Sequence, residues 1–82
     1  MDVDQQKIDK IIHLVVEELK RATEKFGKFN SMHEGYAVIK EELEELWEEI
    51  KKQPRRGKYE DLKMEATQLA AVAIRFLYDF CD

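Results

Sequence analysis

Apolar residues recur along this chain at intervals of three and four, the period of a helix, in three successive blocks. In the first, Ile8, Ile11, Ile12, Val15, Leu19, Ala22 and Phe26 form one stripe, which predicts a helix from about Gln5 to Phe26 stopped by Gly27. Lys28 to His33 reads as a connector. Ser31 followed three residues later by Glu34 is a capping-box pattern and predicts that a second helix begins near Met32. That helix carries Tyr36, Ile39, Leu43, Leu46 and Ile50 on its core stripe and runs to about Lys52. Pro54 opposes continuation, so Gln53-Pro54-Arg55-Arg56-Gly57 is expected to turn the chain into a third helix over about Lys58 to Phe80. The Leu14-Val15-Val16 run is short and in phase with the first helix, so no strand competes. The pattern predicts one all-α domain over residues 1–82, three antiparallel helices joined by two turns.

The third helix differs from the other two. Its centre, Leu69 to Leu77, is apolar on nearly every side, more than two neighbouring helices can cover. With 82 residues the chain buries only about 60% of its unfolded surface, which is marginal without disulfides. Both facts predict a homo-oligomer, a homodimer or homotetramer in which a second copy covers the remaining apolar face.

Composition narrows the function classes. A single cysteine, Cys81, excludes an internal disulfide framework and a cysteine-based zinc site, as suits a reducing compartment. No run approaches the roughly 18 apolar residues of a membrane span, and Asp2, Asp4, Asp9, Glu17 and Glu18 near the start argue against a signal peptide, so a cytoplasmic location is expected. A net charge of -4 and a pI near 5.2 disfavour a nucleic-acid polymer or a membrane surface as partner. An acidic surplus turns attention to metal cations.

Residues 41–49 contain six glutamates, and such a run ordinarily means a solvated helix face. Turning the helix by about 100° per residue from Ile39 separates them: Glu41, Glu44 and Glu48 lie opposite the core stripe, whereas Glu42, Glu45 and Glu49 fall at about 240–300° and border it. The same construction from Leu62 puts Glu65 among the core positions of the third helix, with Asp61 and Gln68 beside it. In an antiparallel hairpin turning near Arg55, Glu45 stands opposite Glu65 and Glu42 opposite Gln68. Three carboxylates and an amide converge, with no lysine or arginine on that edge of the seam. Crowded like charges repel by several kcal/mol unless they protonate, pair or bind an ion. The simplest resolution is an oxygen-ligated hard cation, Mg²⁺ or Mn²⁺; the alternative is ion pairing to Lys20, Arg21 or Lys25 of the first helix or of a partner subunit.

These residues also carry a family pattern. Glu41-Glu42-x-x-Glu45, nineteen intervening residues, then Glu65-x-x-Gln68 resembles the EExxE...ExxD signature of the MazG-like all-alpha nucleoside triphosphate pyrophosphatases, and the likeness covers about residues 32–80. The preceding stretch Ser31 to Ile39 is similar to that of small MazG-like proteins of bacteria and phages. The resemblance implies Mg²⁺-dependent hydrolysis of a (deoxy)nucleoside triphosphate to the monophosphate and pyrophosphate. It implies Glu42, Glu45 and Glu65 as metal ligands, with Gln68 at the position of the fourth, and Glu41 or Glu45 as the carboxylate that orients or deprotonates water. Lys25, Lys28 and His33 are the candidates for contacting the substrate.

Two departures qualify this. Gln68 stands where the signature has Asp, which removes one anionic ligand and lowers the expected Mg²⁺ affinity. The chain also reaches Asp82 without the extra helix that many members use, so the resemblance implies that another subunit finishes the pocket. The alternative expectation is a non-catalytic nucleotide- or metal-binding or oligomerisation module of the same fold. Trp47 and Phe29 are expected to pack rather than to stack on a base. Arg55 and Arg56, about 15 Å of helix rise from Glu45, are too distant for its chemistry in the same subunit.

Overall fold

The computed structural model describes residues 3–81; Asp2 and Asp82, used in the reasoning above, lie outside the described residues. It consists of three α-helices, α1 (Gln5–Phe26), α2 (Met32–Lys52) and α3 (Tyr59–Phe80), and the described residues include no strand. None of the helices is long and apolar enough to cross a membrane.

Local chemistry sets each boundary. Asp4 caps α1 by accepting a hydrogen bond from the Lys7 N–H at 3.2 Å, and Gly27, at φ 71°, ends the helix with its own N–H bonded to the Thr23 carbonyl. The left-handed φ at Gly27 is where an L side chain would be strained. Ser31 caps α2 as its sequence pattern predicts, its Oγ accepting from the Glu34 N–H at 3.1 Å. The return half of the box is displaced by one residue: Glu34 accepts from the backbone N–H of Asn30, and from its side-chain amide, instead of from the N–H of Ser31. Lys58 lacks a side-chain cap at the start of α3, and Glu60 and Asp61 in the first turn offset this by their charge against the helix dipole.

The register is antiparallel between α2 and α3, with Gly35 against Phe76 near one end of the seam and Glu45 against Glu65 nearer the turn. α1 runs along α3 in the same direction, so that Leu14 and Arg21 lie near Met64 and Thr67 while Gly27 meets Arg75. α3 packs against both other helices, but α1 and α2 do not pack on each other. A cleft of about 500 Å³ therefore opens between them, with α3 as its floor.

This arrangement makes the core one-sided. Ala22, Phe29, Ala71 and Val72 are buried, and the Phe29, Phe76 and Phe80 rings group where the α1–α2 connector crosses α3. The predicted core stripes are only partly covered: Ile11, Ile12 and Phe26 of α1, Tyr36, Leu43 and Ile50 of α2, and Trp47, expected as packing material, remain exposed. The physical reason is the missing α1–α2 contact, because each outer helix has only α3 to bury its stripe against. The radius of gyration, 13.9 Å, exceeds the roughly 12 Å of a compact domain of this length, in keeping with an open arrangement.

Gly35 holds α2 and α3 together at close range. A Cβ there would stand 2.7 Å from Phe76 Cδ2, and the ring is backed by Phe80 at 5.0 Å between centroids, so it has little freedom to withdraw. Overpacking of this kind costs about 1–3 kcal/mol, against about 1 kcal/mol of helix propensity gained by alanine. Gly35→Ala is expected to lower stability by about 1 kcal/mol in urea unfolding, the reverse of the gain that propensity alone gives.

Candidate metal centre

The glutamate face of α2 divides as the helical construction predicts. Glu41, Glu44 and Glu48 are exposed, while Glu42, Glu45 and Glu49 are half-buried along the α2–α3 seam. Glu65 meets them from α3, and one carboxylate oxygen each from Glu42, Glu45 and Glu65 lies within 4.8 Å of the other two. Glu42 and Glu45 line the cleft, as do Glu41 and Gln68, so the group opens onto solvent-accessible space.

No cation side chain neutralises this group among the described residues. The nearby basic residues are committed elsewhere: Arg21 grips Glu18 through Nε and Nη2 at 2.7–3.0 Å, Lys52 bonds Glu49 at 2.8 Å, and Lys20 lies 3.9 Å from Glu17. Ion pairing with Lys20, Arg21 or Lys25, one of the two resolutions left open by the sequence, does not occur within the chain. Glu42 Oε2 and Glu65 Oε2 are buried and lack any hydrogen-bond partner, as does Glu49 Oε1.

Protonation absorbs the strain instead. Burial, and then the charges of Glu45 and Glu65, push the Glu42 carboxyl up to about 7. Glu65 is also raised, first by burial and then by the adjoining Glu45 carboxylate, with Glu49 and Asp61 adding to the effect. Glu45 is the shared neighbour, within reach of a proton held by either of the others.

The donor set fits a hard divalent ion. One oxygen of each carboxylate lies close enough to the other two for a single cation to be shared among them. Orphaned buried oxygens are what such an ion would satisfy. Three carboxylates without nitrogen or sulfur favour Mg²⁺ or Mn²⁺ over softer metals.

The remaining sequence candidates are scattered. Gln68 lies on the cleft floor one turn beyond Glu65. Lys25 rests over the Phe26 ring, 5.2 Å from its centroid. Lys28 borders a separate hollow with Tyr78 and Asp79, and exposed His33 is in the first turn of α2; neither they nor Lys25 line the cleft. The cations that do line it are Arg21, which the sequence offers only as an ion-pair partner for the glutamates, and Arg75, which it does not single out. A signal for Arg75 existed, since it is the one charged residue in the apolar run from Leu69 to Leu77.

Comparison with known proteins adds no relative: no family model matches the chain, and no curated protein or solved structure matches it.

The raised carboxyls give a signed pH dependence. Glu42 titrates near 4.5 when unfolded and near 7 when folded, so between those values the folded state holds more protons and stability falls as pH rises. The melting temperature of metal-free protein is expected to drop between about pH 5 and about pH 8, and Glu42→Gln is expected to remove much of that drop, Glu65 supplying the rest. A divalent cation held by these carboxylates would need them deprotonated, so millimolar Mg²⁺ is expected to raise the melting temperature more at the higher pH than at the lower.

Proposed function

We propose that this chain is a MazG-like, Mg²⁺-dependent nucleotide pyrophosphohydrolase that cleaves a (deoxy)nucleoside triphosphate to the monophosphate and pyrophosphate. The observation that carries the reading is the meeting of Glu42, Glu45 and Glu65 within 4.8 Å, beside a cleft and without a cation side chain among them. It agrees with the motif spacing, in which the same three residues correspond to the metal-binding glutamates.

In this reading Glu42, Glu45 and Glu65 hold the ion, with the Gln68 amide oxygen beside them. The ion supplies charge neutralisation for the phosphate oxygens and increases the electrophilicity of phosphorus. Glu41, on the cleft wall outside the triad, accepts the proton of a water whose oxygen bonds to the α-phosphorus as the bond to the bridging oxygen breaks and pyrophosphate leaves. Glu45, which also lines the cleft, is the alternative carboxylate for that role. Arg21 is the cleft cation best suited to the phosphates, because it is about half exposed and would need only to exchange Glu18 for a phosphate oxygen. Lys25, Lys28 and His33 are less suited in one copy, since they lie off the cleft lining.

Self-association belongs to the same proposal. Ile11 and Ile12 on α1, Leu43, Trp47 and Ile50 on α2, and Leu77 on α3 are large apolar side chains with more than two-fifths of their area exposed. Covering them by a second copy supplies the enclosure that a chain of this size lacks. Sedimentation equilibrium is expected to give a mass that is a multiple of 9.8 kDa, two or four copies.

Purified protein with Mg²⁺ or Mn²⁺ is expected to release pyrophosphate from at least one triphosphate of a nucleotide panel. Glu42→Gln and Glu65→Gln should each lower kcat/KM by at least about a hundredfold while leaving the helical circular-dichroism signal intact. Absence of product across the panel removes the proposal.

One observation favours a second reading, a binding module without catalysis. Gln68 brings a neutral amide to the cleft where the signature has a carboxylate. In that case Gln68→Asp creates pyrophosphate release in a protein that otherwise only binds; under the first reading it raises Mg²⁺ affinity of an enzyme already active.

A further inference from the structure

The cleft has a second chemical feature at the end away from the carboxylates. Its floor runs along one face of α3 through Gln68, Ala71 and Val72 to Arg75, ten residues and about 15 Å of helix rise beyond Glu65. Arg75 is 6% exposed, and arginine is almost never so buried unless paired. No carboxylate forms an ion pair with it among the described residues. Its Nη2 donates to the Gly27 carbonyl oxygen at 2.9 Å, and its guanidinium carbon lies 4.3 Å from the centre of the Phe29 ring. A guanidinium has five N–H donors, so this single hydrogen bond leaves most of them for a ligand.

The surroundings say what kind of ligand. Phe26, Phe29 and Val38 make this end of the cleft apolar, and the Phe26 ring is largely exposed. Glu34 lines the same end and is fixed there by Asn30, which donates to both of its oxygens; those hydrogen bonds, and to a smaller degree the charge of Arg75, hold its carboxyl below the usual range. An ionised carboxylate beside the guanidinium repels a phosphate. A flat, neutral ring with a carbonyl next to an N–H satisfies both groups.

The geometry points to this end of the cleft as a nucleobase subsite selective for bases with a lactam edge, guanine, hypoxanthine, uracil or thymine. Arg75 donates to the ring carbonyl, Glu34 accepts from the neighbouring ring N–H, and Phe26 offers a face for stacking. Adenine and cytosine carry an amino group where Arg75 needs an acceptor, leaving a buried guanidinium unmatched, which is how a polar site discriminates strongly. The distance along α3 leaves room for the phosphates between this subsite and the carboxylates. This inference rests on the proposal that a nucleotide occupies the cleft.

The test is equilibrium titration of the full chain with the Mg²⁺ complexes of GTP, UTP, ATP and CTP, alongside pyrophosphate release from each. GTP and UTP are expected to bind at least about tenfold more tightly than ATP and CTP, as loss of a charge-assisted hydrogen bond implies. Glu34→Gln should shrink that ratio severalfold, and Arg75→Lys, which keeps the charge but loses the planar fork, should weaken GTP and UTP about tenfold with little effect on ATP. Where Arg75→Lys does not fold, the wild-type panel and Glu34→Gln decide. Equal binding of all four, or preference for ATP and CTP, overturns the base assignment while pyrophosphate release leaves the hydrolase reading standing. Binding of Mg²⁺ with no nucleotide at all overturns both.

Discussion

The seam between α2 and α3 forces like charges together, and the rest of the chain either enforces or tolerates that crowding. Side chains spaced three and four apart on two antiparallel helices have few ways to avoid one another once the apolar positions between them have packed. The close approach of Gly35 to Phe76 sets the height of α3 against α2, and that height brings Glu65 level with Glu42 and Glu45. Sliding one helix by a residue would relieve the repulsion but also misplace the aromatic group of Phe29, Phe76 and Phe80. Apolar packing wins, and the carboxylates retain protons at pH values where free glutamates have lost them.

The second determinant is the use of α3 as a common floor. Because α1 and α2 each pack on α3 and not on each other, the chain spends its limited apolar surface in opening a trough instead of closing a core. One end of that trough carries the Glu42 and Glu45 carboxylates and the other a buried guanidinium, so its two ends differ in chemistry. The same architecture leaves apolar side chains of all three helices uncovered. The open cleft and the exposed apolar side chains have a single origin, the shortage of helices around α3.

Much of this was legible in the order of the residues. The helix limits at Gly27, Ser31 and Pro54 follow from residue type, and the division of the acidic run into inner and outer glutamates follows from the 100° step alone. The pairing of Glu45 with Glu65 required only the position of the turn. What periodicity could not supply was the extent of lateral packing, since an apolar stripe states that a face prefers cover and not whether its own chain provides it. Hence Trp47 and Leu43, in phase with the core, remain exposed. An arginine within an apolar run reads as an interruption in the sequence; only the carbonyl of Gly27 and the ring of Phe29, far away in sequence, fix Arg75 at the cleft. Of the lysines proposed for the phosphates, Lys25 sits over the Phe26 ring and Lys28, past the Gly27 stop, borders the hollow beside Tyr78 and Asp79 instead of the cleft.

The most direct measurement is anomalous diffraction from crystals of the protein grown with Mn²⁺. The account predicts a manganese peak bonded to carboxylate oxygens of Glu42, Glu45 and Glu65, with those side chains little moved. Diffraction showing the three carboxylates splayed into water, or bound by an arginine or lysine of a second copy with no manganese between them, would contradict it.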